Sequence, residues 1–381
     1  MKNRLKRLIK LKIKGLIPFS LILAACGIFL LGSTNAFAES MVGLSGTKQQ
    51  AVTFDVNAYE IKCDQNNDAK ACFQLGRHYF LIEEAVQKNV GNKELSLKAK
   101  NAFQWYENAA NLGYSKAQIA LGLMYAFGFG VKQSNKKAIV WTEKAVQQGD
   151  PEAQNELGIM LHEGVFIEQD WKKSFILYEK SAKQGFARGQ FNLALSYRFG
   201  QGVEKNLEKA IFWYRKAAQK GLDIAQNGLG YMLKNGIGIV KDHNEAAIWY
   251  QKAADQGLAN AQANLGRAFS FGEGVAQNYK RALFWYQKAA NQGNLSAQTN
   301  LGELYAKGNG VERNDQTAVV WFRKAAEQGF DIAQNNLGFM FESGRGVKKD
   351  RDKAIFWYKK AALQGFKPAR FNLAKLQAQA K

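Results

Sequence analysis

Residues 259–294 read ANAQANLGRAFSFGEGVAQNYKRALFWYQKAANQGN, and variants of this 36-residue phrase are written on both sides of it. The phrase opens on Ala261-Gln262, reaches Leu265-Gly266, and breaks at Gly272-Glu273-Gly274-Val275. It restarts at Asn278, carries Ala282, Trp285 and Tyr286, and closes on Gln292-Gly293. Apolar residues fall at helical spacing before and after the break, which predicts two helices joined by a tight turn. Glycine in the break can take positive φ and stop the first helix. Asn278 can accept bonds from the free N–H groups that open the second.

Outward from that phrase, a leucine recurs every 36 residues at Leu121, Leu157, Leu193, Leu229, Leu265, Leu301 and Leu337, with Leu373 closing the series and Leu75 preceding it. Glycine follows that leucine in most copies, and Ala194 and Ala374 replace it in two. A tryptophan column runs Trp105, Trp141, Trp213, Trp249, Trp285, Trp321 and Trp357, with Leu177 in the gap and Trp171 outside it. The second helix opens on a capping residue in each copy: Ser134, Asp170, Asn206, Asp242, Asn278, Asn314 and Asp350. A helix pair of this length cannot bury its apolar face alone, so neighbours must stack. The expected fold is therefore all-α, a right-handed αα-hairpin solenoid whose core is built from the leucine and tryptophan columns. The glycine after the leucine lies mid-helix, where it costs about 1 kcal/mol relative to Ala. Close approach of a neighbouring helix is the expected compensation.

The spacing also sets the boundaries. Eight helix pairs are expected over 69–366, the first with an insertion at 82–96, followed by a capping helix over 367–381. Residues 39–68 are expected to hold a capping half-repeat. The third copy departs most from the pattern, with Phe166 where the second loop glycine belongs, Leu177 for Trp and Ser174 for Ala.

Residues 1–38 have a different logic. Seven cations and no anion lie in residues 1–14, an apolar run spans Leu16 to Leu31, and Ala36-Phe37-Ala38 precedes Glu39. Basic segment, apolar segment and A-x-A form a secretory signal peptide, with cleavage expected after Ala38. Two alternatives stand beside it. Leu23-Ala24-Ala25-Cys26 resembles a lipobox with Cys26 as the lipidated residue, and an uncleaved run would act as a membrane anchor. The protein is accordingly expected to be exported, to the periplasm or beyond the cell.

Composition narrows the chemistry. The chain of 381 residues has 53 Lys+Arg against 32 Asp+Glu, a formal +21, of which +14 remains beyond residue 38. Three prolines and three cysteines exclude collagen-like and disulfide-dense scaffolds. The three histidines, His78, His162 and His243, lie far apart, and His162-Glu163 lacks the second histidine of H-E-x-x-H. Ser134 to Lys137 and Ser45 to Lys48 both fit S-x-x-K, but neither S-D-N nor K-T-G accompanies them, and Ser134 already has a capping role. The G-x-G loops follow helices rather than strands, so they are not nucleotide loops. No catalytic residue, metal ligand or cofactor is expected.

The phrase A-x-x-x-L-G-x-x-Y-x-x-G-x-G-V-x-x-[D/N]-x-x-K-A-x-x-W-Y-x-K-A-A-x-Q-G resembles the Sel1-like repeat, a relative of the tetratricopeptide repeat, and the resemblance covers roughly 69–381. It implies a non-enzymatic adaptor that assembles protein complexes. Exported bacterial members look like virulence factors that contact host proteins during entry or vesicle trafficking. Beside that reading stand a periplasmic, peptidoglycan-related factor and a binder of anionic lipid headgroups through the basic face. Protein partners, an acidic host protein among them, are expected, as is a monomer; nucleic acid is not.

Two sets of residues are candidates for specific roles. Cys63 and Cys72 read as a disulfide in an oxidising compartment, with two buried free thiols as the other reading. Cysteine-rich members of the resembled family carry similar inter-helix bridges. Asn192, Asn264, Asn300, Asn336 and Asn372 share one register, two residues before the glycine column. In tetratricopeptide-like grooves an inward Asn can bond a peptide backbone. The other reading is an Asn bonded to its own neighbouring helix, because buried polar groups need partners in any case.

Overall fold

The computed structural model describes residues 55–86 and 92–378. Eighteen α-helices and no strand occur among the described residues. The chain divides into two compact units at residues 220 and 221. The first holds α1 (Val56–Asn66) and four hairpins. These are α2 (Ala69–Val86) with α3 (Asn92–Asn111), α4 (Ser115–Phe127) with α5 (Asn135–Gln147), α6 (Pro151–Glu163) with α7 (Trp171–Lys183), and α8 (Ala187–Phe199) with α9 (Leu207–Gln219). The second unit also has four: α10 (Asp223–Asn235) with α11 (His243–Asp255), α12 (Ala259–Phe271) with α13 (Tyr279–Asn291), α14 (Leu295–Lys307) with α15 (Asp315–Glu327), and α16 (Asp331–Ser343) with α17 (Arg351–Leu363). Helix α18 (Lys367–Ala378) packs on α17 and ends that unit. Within each unit a first helix packs on its own second helix, and that second helix packs on the next hairpin. The fold is an αα-hairpin solenoid.

The turn chemistry is uniform. All seven capping side chains accept a backbone N–H three residues on, at 2.8–3.4 Å. First helices stop on glycines in the left-handed region, such as Gly272 at φ 72°. The second loop glycine is needed for a further reason. A Cβ at Gly202 or Gly274 would collide with the backbone carbonyl of Trp171 or His243, the residue that starts the preceding hairpin's second helix. Phe166 occupies that position in the third copy at φ 70°, a left-handed conformation, with its ring edge-on to Phe127.

Inside, the leucine column is enclosed from Leu121 to Leu337: Leu121, Leu193, Leu229, Leu301 and Leu337 are 0% exposed, Leu157 and Leu265 are also buried, and Leu373 in the last helix is half-buried. The tryptophan column is not the centre of the core. Trp249 and Trp285 are buried, but Trp105, Trp141, Trp213, Trp321 and Trp357 are only partly so. The next residue of each second helix takes the central place, as in Tyr214, Tyr250, Tyr286, Phe322 and Tyr358. The reason is angular. One step of 100° along the helix turns the tyrosine onto the first helix and leaves tryptophan at the margin. There it serves as a platform for the lysine one turn on: Lys144, Lys252 and Lys324 hold their Nζ atoms 3.8–4.3 Å from the ring centres of Trp141, Trp249 and Trp321.

A glutamine ladder registers one hairpin on the next. Gln262 Nε2 donates to the carbonyl of Ala254 at 3.2 Å, and Gln292 Nε2 donates to Gln262 Oε1 at 2.8 Å. Gln118 and Gln334 repeat the arrangement with Ala110 and Ala326, whereas Gln298 keeps only the bond to the Ala290 carbonyl, because Gln328 Nε2 turns to the Lys324 carbonyl of its own helix.

At the first end, Cys63 of α1 and Cys72 of α2 are joined as a disulfide with Cα atoms 4.9 Å apart, and both are buried. The extra residues at 82–96 are not simply a loop. Residues 82–86 lengthen α2 and 92–96 lengthen α3, giving helices of 18 and 20 residues where 13 is the rule. The signal segment, Cys26, and the cleavage residues Ala36, Ala38 and Glu39 lie outside the described residues. No described helix is long and apolar enough to cross a membrane.

Candidate functional site

With leucine and glycine turned toward the second helix, the residues one and two places before the leucine lie on the other side of the first helix. Three of the column asparagines find a partner there in the preceding copy. Asn192 Nδ2 donates to Asn155 Oδ1 at 2.8 Å, Asn264 Nδ2 to Asn227 Oδ1 at 2.9 Å, and Asn372 Nδ2 to Asn335 Oδ1 at 2.9 Å. The acceptor stands 37 residues earlier in each case. By the same rule Asn300 and Asn336 would need partners at 263 and 299, which are Ala263 and Thr299. Thr299 Oγ1 instead donates to its own helix, at the Leu295 carbonyl. The Asn336 side chain reaches only Glu303, at 3.5 Å, and the Asn300 side chain makes no hydrogen bond among the described residues.

Asn300 opens onto a polar pocket of about 270 Å³ that it lines together with Asn227, Asn260, Asn264, Asn294, Ser296, Ala263 and Arg267. Local structure fixes the walls. Asn294 caps α14 through Oδ1, which accepts from Ala297 N at 2.8 Å, and its Nδ2 donates to Asn260 Oδ1 at 2.8 Å. Arg267 is steadied by Glu273, whose carboxylate lies 3.4 Å from the Arg267 guanidinium and 3.1 Å from Lys234 Nζ. Burial pushes that carboxyl up, but Lys234 and then Arg267 more than offset it, so Glu273 stays below the usual carboxylate range. Each amide offers both donor and acceptor, so the pocket can pair the N–H and C=O of an extended backbone, and Arg267 adds a cation at its edge.

The expected Asn set is therefore divided. Asn264 and Asn300 meet at the pocket. Asn336 and Asn372 lie in the same unit but do not line it, and Asn192 is buried in the other unit beside Asn155 and Glu156. Burial raises the Glu156 carboxyl above its ordinary range, against Arg188 and the Asn155 amide, which lower it. Asn227, Asn260 and Asn294 were not anticipated, because they do not recur in every copy. Their signal is pairwise, Asn227 standing 37 residues before Asn264 and Asn260 standing 34 before Asn294, which a search of single columns passes over.

The remaining candidates have structural occupations. Ser134 caps α5, while Lys137 Nζ turns to the ring of Tyr125 at 4.9 Å. His162 pairs with Glu163 at 3.0 Å and stacks on Trp171. Among the described residues no group of three metal-ligating side chains comes together.

A family model described as the Sel1 repeat matches residues 96–114, 115–150, 151–186, 187–222, 223–258, 259–294, 295–330 and 331–366. The chain belongs to the Sel1 repeat family. Sel1 repeat proteins are scaffolds for protein–protein contact, and as a class they are generally non-catalytic. Among solved Sel1 structures, the chain is similar to c5321, a protective antigen present in uropathogenic Escherichia coli strains. The two are 34% identical over 86% of this chain and 68% of that one, with a TM-score of 0.69. It is also similar to a Sel1 repeat protein from Oxalobacter formigenes, at 29% identity over 89% of this chain and 99% of that one, with a TM-score of 0.57. The comparison with curated proteins returned no match.

Proposed function

We propose that this Sel1 repeat protein is an exported, non-enzymatic adaptor that holds an extended segment of a partner protein against the first helices of its second unit. The observation that carries this reading is Asn300. Its amide has no hydrogen bond among the described residues, it borders an open pocket, and neighbouring amides already alternate donor and acceptor. A side chain kept only for stacking would have the partner that Asn264 and Asn372 have. Export rests on the basic, apolar and A-x-A order of residues 1–38. The +14 beyond residue 38 favours an acidic partner. Likeness to a protective antigen of a pathogen supports a host protein as that partner, and with it a role in virulence. The disulfide at Cys63–Cys72 suits an oxidising compartment.

The test is an affinity capture from host-cell and bacterial-envelope extracts with the full chain, at low and raised salt, beside the double variant Asn264→Ala/Asn300→Ala. A stoichiometric partner that survives salt with the wild type and is lost with the variant, at unchanged melting temperature, is the expected result. Capture of acidic material alone, released by salt and indifferent to the variant, would remove the groove from the account.

A further inference from the structure

The opposite helices of the second unit carry a second recurring surface. The residue just before the tryptophan column is large, apolar and half-exposed in all four second helices: Ile248 55%, Phe284 51%, Val320 51% and Phe356 49%. Four residues further along each helix, on the same face, stands a lysine: Lys252, Lys288, Lys324 and Lys360. Those ammonium groups are held over aromatic rings. Lys288 Nζ lies 4.5 Å from the ring centre of Phe284 and 5.2 Å from that of Trp285. Lys360 repeats this at 4.5 Å from Phe356 and 5.1 Å from Trp357. None of the four lysines takes part in an ion pair among the described residues.

Three of the five carboxylates on the same helices have other partners. Helices α11, α13, α15 and α17 contain ten Lys and Arg against five Asp and Glu. Asp315 is gripped by Arg345 and Arg313, Glu245 accepts from Trp249 Nε1, and Asp255 accepts from the Gln251 amide. Glu327 and Asp352 remain beside the row. The surface thus alternates apolar side chain and cation, with an aromatic ring under each cation and a carboxylate, Asp255 or Glu327, three residues beyond Lys252 and Lys324.

We propose that this row docks on an anionic lipid bilayer. The lysines meet headgroup phosphates, while Ile248, Phe284, Val320 and Phe356 enter the boundary with the acyl chains. Charge complementarity selects the sign of the partner. Repetition selects its kind: the same apolar–cation pair offered four times suits a laterally uniform surface, which a headgroup lattice is and a folded protein is not. Aromatic residues at the margin suit the same boundary. Groove and row lie on different helices, so an adaptor docked in this way keeps its peptide-binding face free.

The experiment uses the full chain with Cys26→Ser and Val320→Cys, an environment-sensitive fluorophore on residue 320, and vesicles of phosphatidylcholine with or without phosphatidylglycerol. A second labelled chain carries Asn300→Cys instead. The apolar run near the N-terminus is common to every arm, so the difference between labels and lipids reports the row. The expected result is a blue shift at 320, quenched by a lipid-borne quencher, with affinity about a hundredfold higher for anionic vesicles, reversed by salt, and silent at 300. Lys288→Glu/Lys360→Glu should remove most of that preference; the charge-neutralising pair Lys288→Gln/Lys360→Gln, which adds no repulsion that could disturb folding, should weaken it in the same direction. No response at 320, an equal response with phosphatidylcholine alone, or an equal response at 300 would overturn the proposal. So would a vesicle-free, concentration-dependent shift at 320, because a second copy of the chain would then occupy the row.

Discussion

The ring of Tyr286 lies so close to the backbone of Gly266 that a Cβ at 266 would stand 2.7 Å from the ring's Cδ1. The same ring-on-glycine contact joins Gly230 to Tyr250, Gly302 to Phe322 and Gly338 to Tyr358. It explains a mid-helix glycine that propensity alone would disfavour. Gly266→Ala should therefore destabilise by about 1 kcal/mol in denaturant unfolding, since overpacking outweighs the propensity gain. Ala194, which stands in the same column of its own copy, shows that the cost is bearable. Gly274→Ala should cost about 3 kcal/mol or more, because it combines φ 75° with a collision against backbone. A stabilised Gly266→Ala would mean the ring is not what excludes a side chain there.

Aromatic truncations should rank by burial rather than by ring size. Tyr286→Ala, at a position 1% exposed, should cost about 3–5 kcal/mol. Trp321→Ala removes a larger ring but one only partly enclosed, and should cost about half as much. The reverse order in thermal or denaturant unfolding would restore tryptophan to the centre of the core.

Gln262→Leu tests the ladder between hairpins. The substitution keeps the bulk but removes the side-chain donor to the Ala254 carbonyl, which keeps its bond from Gly257 N, and one of the two acceptors of the Gln292 amide, which keeps the Gly257 carbonyl. Stability should fall by about 1 kcal/mol, and hydrogen exchange should accelerate first at the end of α11. Unchanged exchange at Ala254 to Gly257 would show that packing alone sets the register.

The pH dependence of the second unit should have an acid limb owed to Asp315. Arg345 first, and Arg313 after it, hold its carboxyl at about 2, below its ordinary value. A depressed folded-state value contributes stability above the unfolded value, lost as pH falls through the folded one. The wild type should therefore lose more stability than Asp315→Asn between about pH 4 and pH 2. Parallel acid limbs for the two proteins would mean the carboxylate is not specifically held.

Most of the fold was legible because each element is written many times. The Leu265 column, the caps at Asn278 and Asp350, and the glycine stops follow from short-range physics, and repetition averages away the noise of any single copy. Less legible was whatever depends on rotation about a helix by one residue. The tryptophan column drew attention by its rarity, yet the tyrosine beside it fills the core. The insertion at 82–96 was hard for a different reason: a break in the period does not reveal whether the helices on either side continue through it. At the groove, the column of asparagines was visible, but its meaning was not. Whether an Asn is spent on its neighbour depends on position 263 or 299 of the preceding copy, and Ala263 frees Asn300 while Asn227 occupies Asn264.

The most direct test of the adaptor reading is site-specific photo-crosslinking from the groove. A photoreactive amino acid would be placed in the full chain at 300, and in a second chain at 320 on the opposite helices. The account predicts a discrete protein adduct from 300, competed by unlabelled wild type and absent from 320. A protein adduct from 320 alone, or none from 300 in host and envelope extracts alike, would contradict it.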